Sequence, residues 1–182
     1  MNETYSDLCL ILDTSASFAP NLAVISDGAK ETLALCDGDG VRRDYAVVNF
    51  SCNTLHTPWT PKTRRAPLND LLDHVQGEGT MLDVGVLEEL AQNRAPFAML
   101  LVTDGMLYER DGKPPSLALL HALVKKGHKF GIVYVGDGDI PREYVAATQF
   151  ADLYCVSDAK TAVAMMKEYA TKTLAGRPAH TD

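Results

Sequence analysis

Short apolar runs alternate with amphipathic stretches from one end of this chain to the other, and that alternation constrains the fold more than any other feature. Residues 8–12, 45–50, 97–103, 130–135 and 153–156 are each too short for a stable helix and rich in apolar side chains. Residues 97–103 and 130–135 are apolar at nearly every position, so the period-two pattern of a half-exposed strand is absent and both faces are expected to be covered. Between the runs lie helical patterns at 21–36, 68–75, 82–94, 115–126, 141–148 and 159–174. In the first of these Leu22, Ile25, Ala29 and Cys36 recur with near-helical spacing, and in the third Leu82, Val86 and Leu90 share a face. Strand and helix in alternation predict an α/β fold with a mostly parallel, doubly wound sheet and helices on both faces.

The punctuation fits. The Asp37-Gly38-Asp39-Gly40 stretch stops the first helix. A turn at Ser51-Cys52-Asn53 returns residues 54–57 as a short edge strand, and Pro58 and Pro61 are expected to end the pairing. A chain of 182 residues is long enough for one well-buried core, which places one domain over residues 1–174, and the Gly, Arg, Pro and His of residues 175–182 read as a frayed tail.

Composition removes several function classes. A net charge of -7 argues against a broad nucleic-acid surface, because such surfaces are built from Lys and Arg that neutralise phosphates. Residues 1–7 are polar and acidic, and the apolar run after them is cut short by Asp13, so neither a signal peptide nor a membrane span is expected. Cys9, Cys36, Cys52 and Cys155 are far apart and form no Cys-x-x-Cys pair; they read as reduced, buried core thiols, which with the missing signal points to the cytoplasm. The histidines form no i, i+4 pair, so a zinc enzyme has no support, and neither a Gly-x-Ser-x-Gly elbow nor a phosphate-binding Gly-x-x-x-x-Gly-Lys loop is present. Gly136-Asp137-Gly138-Asp139 lacks the remaining ligands of a calcium loop and reads as a turn and helix cap.

The chemistry is concentrated in three loops that follow strands or precede helices: Asp13-Thr14-Ser15-Ala16-Ser17, then Gly77-Glu78-Gly79-Thr80, then Thr103-Asp104-Gly105. In open α/β sheets ligands bind beyond the carboxyl ends of the strands at the topological switch point. If the strands ending at Asp13 and Asp104 are neighbours, their carboxylates meet there. Each loop alone is ordinary turn and cap chemistry; together they present a set of oxygen donors.

Asp-x-Ser-x-Ser, a later Thr and a later Asp-Gly, in that order, resemble the metal-ion-dependent adhesion site (MIDAS) of the von Willebrand factor A family, and the resemblance spans roughly residues 7–174. It implies a six-stranded sheet in the order 3-2-1-4-5-6 with one short antiparallel edge strand. It also implies that Asp13, Ser15, Ser17, Thr80 and Asp104 hold a divalent cation: Mg2+, with Mn2+ or Ca2+ as alternatives. Hard cations favour such oxygen donors over imidazole or thiolate. In the family the hydroxyls contact the ion and the carboxylates often act through water. A shell rich in neutral oxygens leaves the cation electrophilic, so the implied partner is a protein that supplies an Asp or Glu, and the implied function is binding without catalysis. Intracellular members often serve as subunits or adaptors of larger assemblies, some with AAA-type ATPases. Glu78 and Met81 depart from the small or polar residues that many relatives carry beside the threonine. The enzymatic alternative is a Mg2+-dependent phosphotransfer or hydrolase domain with Asp13 as nucleophile, but that chemistry wants a second Asp where Ser15 stands, and a positioned Lys.

Overall fold

The computed structural model describes residues 5–74, 77–107 and 116–174. The strands are β1 Leu8–Asp13, β2 Asp44–Phe50, β3 Thr54–His56, β4 Thr60–Pro61, β5 Ala98–Thr103, β6 Lys129–Val135 and β7 Asp152–Val156. The α-helices are α1 Ala19–Cys36, α2 Ala66–Leu72, α3 Gly85–Ala91, α4 Ser116–Lys125, α5 Arg142–Ala147 and α6 Ala159–Thr173. The sheet runs β3-β2-β1-β5-β6-β7, with β1, β2, β5, β6 and β7 parallel and β3 antiparallel at one edge.

The expected strand order is therefore present, and the count is corrected from six to seven by β4, which pairs antiparallel with the start of β2 through Asp44 with Pro61 and Tyr45 with Thr60. Pro61 does not end the pairing as its missing N–H suggested. It lies on the outer flank of β2, an edge position where a proline is tolerated. Pro58 interrupts the edge, so β3 and β4 cover successive parts of β2.

Alternation along β1 sends Leu8, Leu10 and Leu12 into a core shared with α1, α2 and α6, and Cys9 and Ile11 into a second core shared with α3, α4 and α5. Every residue of β1 and β5 is buried, which accounts for their unbroken apolar character. On the first face α1 and α6 meet without a gap: an added Cβ on Gly28 would lie 2.1 Å from a Val163 methyl carbon. Tyr169 of α6 crosses over Gly131 and donates its hydroxyl to the Met99 carbonyl at 2.9 Å, anchoring the helix to the sheet centre.

Helix boundaries shift where local side-chain chemistry outcompetes periodicity. The 82–94 pattern shortens to Gly85–Ala91, because the Asp83 carboxylate accepts the Gly85 N–H at 3.0 Å and Asn93 adopts φ +56°. Leu82 is nevertheless buried, from the loop ahead of the helix. Position 75 of the 68–75 pattern and residues 175–182 lie outside the described residues. Asp139 caps no helix: α5 begins after Pro141 without a side-chain cap. Two of the four cysteine expectations are corrected as well. Cys9 and Cys36 are buried, but Cys52 in the β2–β3 turn and Cys155 on edge strand β7 are exposed, and none of the four forms a disulfide. No described helix is long and apolar enough to cross a membrane.

Candidate metal centre

The switch point falls between β1 and β5. From β1 the chain builds outward through β2 to one edge, then returns to place β5 on the other side of β1 and builds to the opposite edge. The register pairs Leu12 with Val102, so Asp13 and Thr103 follow side by side as the last residues of their strands. Asp104 comes immediately after.

Asp13 is fully buried, and both carboxylate oxygens are occupied from the protein side. Oδ1 accepts the Ser15 N–H at 2.9 Å, and Oδ2 accepts the Thr103 hydroxyl at 2.6 Å. Burial raises its pKa, opposed by those hydrogen bonds, and the Asp104 charge adds to the rise. Asp104 is partly exposed; burial raises its pKa too, while the Ser17 hydroxyl, which donates to its Oδ1 at 3.0 Å, works the other way. Because Ser17 gives its single proton to Asp104, Ser15 must be the donor in the 3.1 Å contact between the two serine hydroxyls. The result is a row Asp104, Ser17, Ser15, with Asp13 held to the same loop through the Ser15 amide.

Local turns bring the serines there. Thr14 donates both its N–H and its hydroxyl to the Phe50 carbonyl, at 2.9 and 3.1 Å, bending the chain over the end of β2. The Phe18 N–H then returns to the Ser15 carbonyl at 3.1 Å. Pro20 sits in the first turn of α1, where its missing N–H costs nothing.

Thr80 arrives by a separate route. Gly79 takes φ +87° with an added Cβ only 3.4 Å from the Cys52 backbone, and the Met81 N–H donates to the Ser51 carbonyl at 2.7 Å, so this loop lies against the β2–β3 turn. The Thr80 hydroxyl donates to the Met106 carbonyl at 2.8 Å. It reaches the loop that carries Asp104 without bonding to any of the other four residues. Glu78 and Met81 are both exposed beside it.

No family model and no curated protein matches the sequence. Solved structures do match in three dimensions. The pilus adhesin SpaC from Lactobacillus rhamnosus GG, in its open conformation, superposes with a TM-score of 0.73 at 14% identity, over 96% of this chain and 30% of SpaC. Proximal thread matrix protein 1 from the mussel byssus, with a zinc-occupied MIDAS motif, gives 0.71 at 16%, over 93% of this chain and 46% of that one. The SpRpn10 VWA domain gives 0.70 at 9%, over 97% of this chain and 100% of that domain. The chain has the von Willebrand factor A fold. It spans under half the length of SpaC and of the byssus protein.

On that fold the donor set suits a hard divalent ion by its own chemistry. All five side chains offer oxygen, the donor type that hard divalent ions favour. Neither Asp13 nor Asp104 forms an ion pair with a described Lys, Arg or His. Two carboxylates, one buried and one partly exposed, with raised pKa values and no cationic partner among the described residues, form a site of the sign and hardness that a small cation neutralises.

Two residues to which the sequence reading gave no role complete the surroundings. The Thr103 Oγ, besides donating to Asp13, lies 3.2 Å from the Gly105 N–H, which donates to it. The Tyr144 hydroxyl, from α5, donates to the Gly105 carbonyl at 2.7 Å. Thr103 was visible as the first letter of Thr-Asp-Gly; nothing in the sequence pointed to Tyr144.

Proposed function

We propose that this chain is a metal-dependent protein-interaction module in which Asp13, Ser15, Ser17, Thr80 and Asp104 hold a divalent cation, with Mg2+ the expected ion, and that a carboxylate from a partner protein completes the coordination. The observation that carries this reading is the pair Asp13 and Asp104 at the β1/β5 switch point, without an ion-pair partner among the described residues and linked through the Ser17 and Ser15 hydroxyls and the Ser15 amide. A bound cation supplies charge neutralisation within the site and Lewis acidity toward an external acidic group. The protein's part is orientation. Ser15, Ser17 and Thr80 offer neutral oxygens, while Asp13, with each oxygen already accepting one hydrogen bond, balances charge from behind them.

A nucleophilic role for Asp13 has little to recommend it. The side chain is inaccessible, both oxygens are engaged, and Ser15 occupies the position where phosphotransfer chemistry wants a second acid. We further take residues 1–174 as the module, and four cysteines outside any disulfide, two of them exposed, favour a reducing compartment such as the cytoplasm. The test is calorimetric titration of Mg2+ into wild type, Asp13→Ala and Thr80→Ala, followed by partner capture with and without chelator. Wild-type Mg2+ affinity in either variant, or capture indifferent to chelator, refutes the proposal; turnover of a generic phosphate ester would move the assignment to the enzyme class.

A further inference from the structure

Gly105, the residue after Asp104, is gripped from two sides. Its N–H donates to the Thr103 Oγ at 3.2 Å, and its carbonyl accepts the Tyr144 hydroxyl at 2.7 Å. The same Thr103 oxygen donates its proton to Asp13 Oδ2 at 2.6 Å. One hydroxyl is thus bonded both to the acid that ends β1 and to the backbone beside the acid that follows β5. Thr103 and Asp13 are fully buried, as is Tyr144, so no water competes with these bonds from the core side. Burial also raises the pKa of Tyr144 above its ordinary value, keeping the phenol protonated as a donor.

From this geometry we infer that Thr103 and Tyr144 are positioning residues that fix the separation of Asp13 and Asp104, and that this fixed separation sets which size of divalent cation the site accepts. The inference rests on the metal-binding reading above. Its physical basis is the difference between the two common hard ions: Mg2+ requires near-ideal octahedral geometry at about 2.1 Å, whereas Ca2+ tolerates irregular shells at about 2.3–2.6 Å. A rigid pair of acids discriminates between them; a loosened pair does not. Threonine is suited to this work because its β-branched side chain has few rotamers at the end of a buried strand, and the hydroxyl both donates and accepts.

The decisive comparison is the ratio of Mg2+ to Ca2+ affinity, measured by calorimetry on the full chain for wild type, Thr103→Val, Thr103→Ser and Tyr144→Phe, with metal-free melting temperatures recorded alongside. Valine keeps the shape and deletes the hydroxyl, so Mg2+ affinity should fall at least tenfold while Ca2+ affinity changes less than threefold. Serine should restore the wild-type ratio. Phenylalanine at position 144 removes the Gly105 anchor and should narrow the ratio by about threefold or more, which keeps the test decisive if the valine variant does not fold. Equal losses for both ions in the valine variant, an unchanged ratio in Tyr144→Phe, or a serine variant that behaves like valine overturns the inference. Absence of any divalent binding by wild type instead overturns the metal reading itself.

Discussion

Asp13→Asn should raise the melting temperature of the metal-free chain and abolish its stabilisation by Mg2+, two effects of opposite sign from one substitution. Without metal, Asp13 is a fully buried carboxylate whose charged form is penalised by desolvation and by Asp104. An amide removes that penalty and can keep the local bonds. Its oxygen still accepts the Ser15 N–H, and its NH2 can donate to the Thr103 Oγ if that hydroxyl turns toward the Gly105 carbonyl, 3.3 Å away. The metal term is set by mass action: an ion that binds only the native state at 100 times its Kd stabilises by about 2.7 kcal/mol. At roughly 2–4 °C per kcal/mol for a chain of this size, wild type should gain about 5–11 °C between chelator and saturating Mg2+. Differential scanning fluorimetry at pH 7.5, with and without EDTA, reads both effects. A wild-type melting temperature indifferent to Mg2+ refutes the metal linkage, and a variant that keeps the full Mg2+ gain refutes the part assigned to Asp13.

His128 is buried, its Nδ1 accepts the Phe97 N–H at 3.2 Å, and burial, with Lys126 adding to it, lowers its pKa below the ordinary value. A native state that prefers the neutral ring holds its full stability above the unfolded pKa of about 6.5 and loses it as pH falls below that. The difference in unfolding free energy between wild type and His128→Asn should therefore shrink from pH 7.5 to 5.5 in urea titrations; taking the difference cancels the oppositely signed contributions of Asp13 and Asp104, and a pH-independent difference refutes the account. Gly131→Ala should destabilise by about 1–3 kcal/mol in the same titrations, since the new methyl would sit 2.5 Å from the Tyr169 ring, which is anchored by its hydroxyl. Native chain should react rapidly with Ellman's reagent at Cys52 and more slowly at Cys155, whose pKa burial raises, and at all four thiols after unfolding, because Cys9 is buried with a raised pKa and Cys36 is buried at the end of α1; rapid modification of Cys9 in the native state would contradict the packing of β1.

The architecture was legible because its determinants are local and redundant. Each central strand is apolar on both faces, each helix has its own stripe, and strand-end loops are marked by Asp and Gly. Misreadings occur where a single side chain or a distant neighbour decides. Asp83 took residues 82–84 out of α3 by bonding to Gly85, although Leu82 keeps the helical hydrophobic spacing. Pro61 entered a ladder because its partner, the start of β2, is an edge there, a fact fixed by topology and invisible in the residue itself. Cys155 looked buried because residues 153–156 read like the other strands, but β7 closes the sheet and has a neighbour on one side only.

The same distinction separates the candidate site from its support. Asp13, Ser15, Ser17, Thr80 and Asp104 could be picked out because oxygen-bearing side chains at strand ends are chemically conspicuous and fall in a recognisable order. Thr103 could not, since threonine at the end of a strand is what β propensity alone would place there. Its significance lies in pairing with Asp13, which exists only because β1 and β5, some 90 residues apart in the chain, became neighbours in register. Tyr144 is further from reach, because its partner is a backbone carbonyl and backbone carbonyls carry no sequence signal. Ligand identity is thus written in residue type, whereas the spacing of the ligands is written in tertiary hydrogen bonds. Substitutions at Thr103 and Tyr144 should accordingly change which ion is preferred before they change whether an ion is bound, and substitutions among the five oxygen donors should do the reverse.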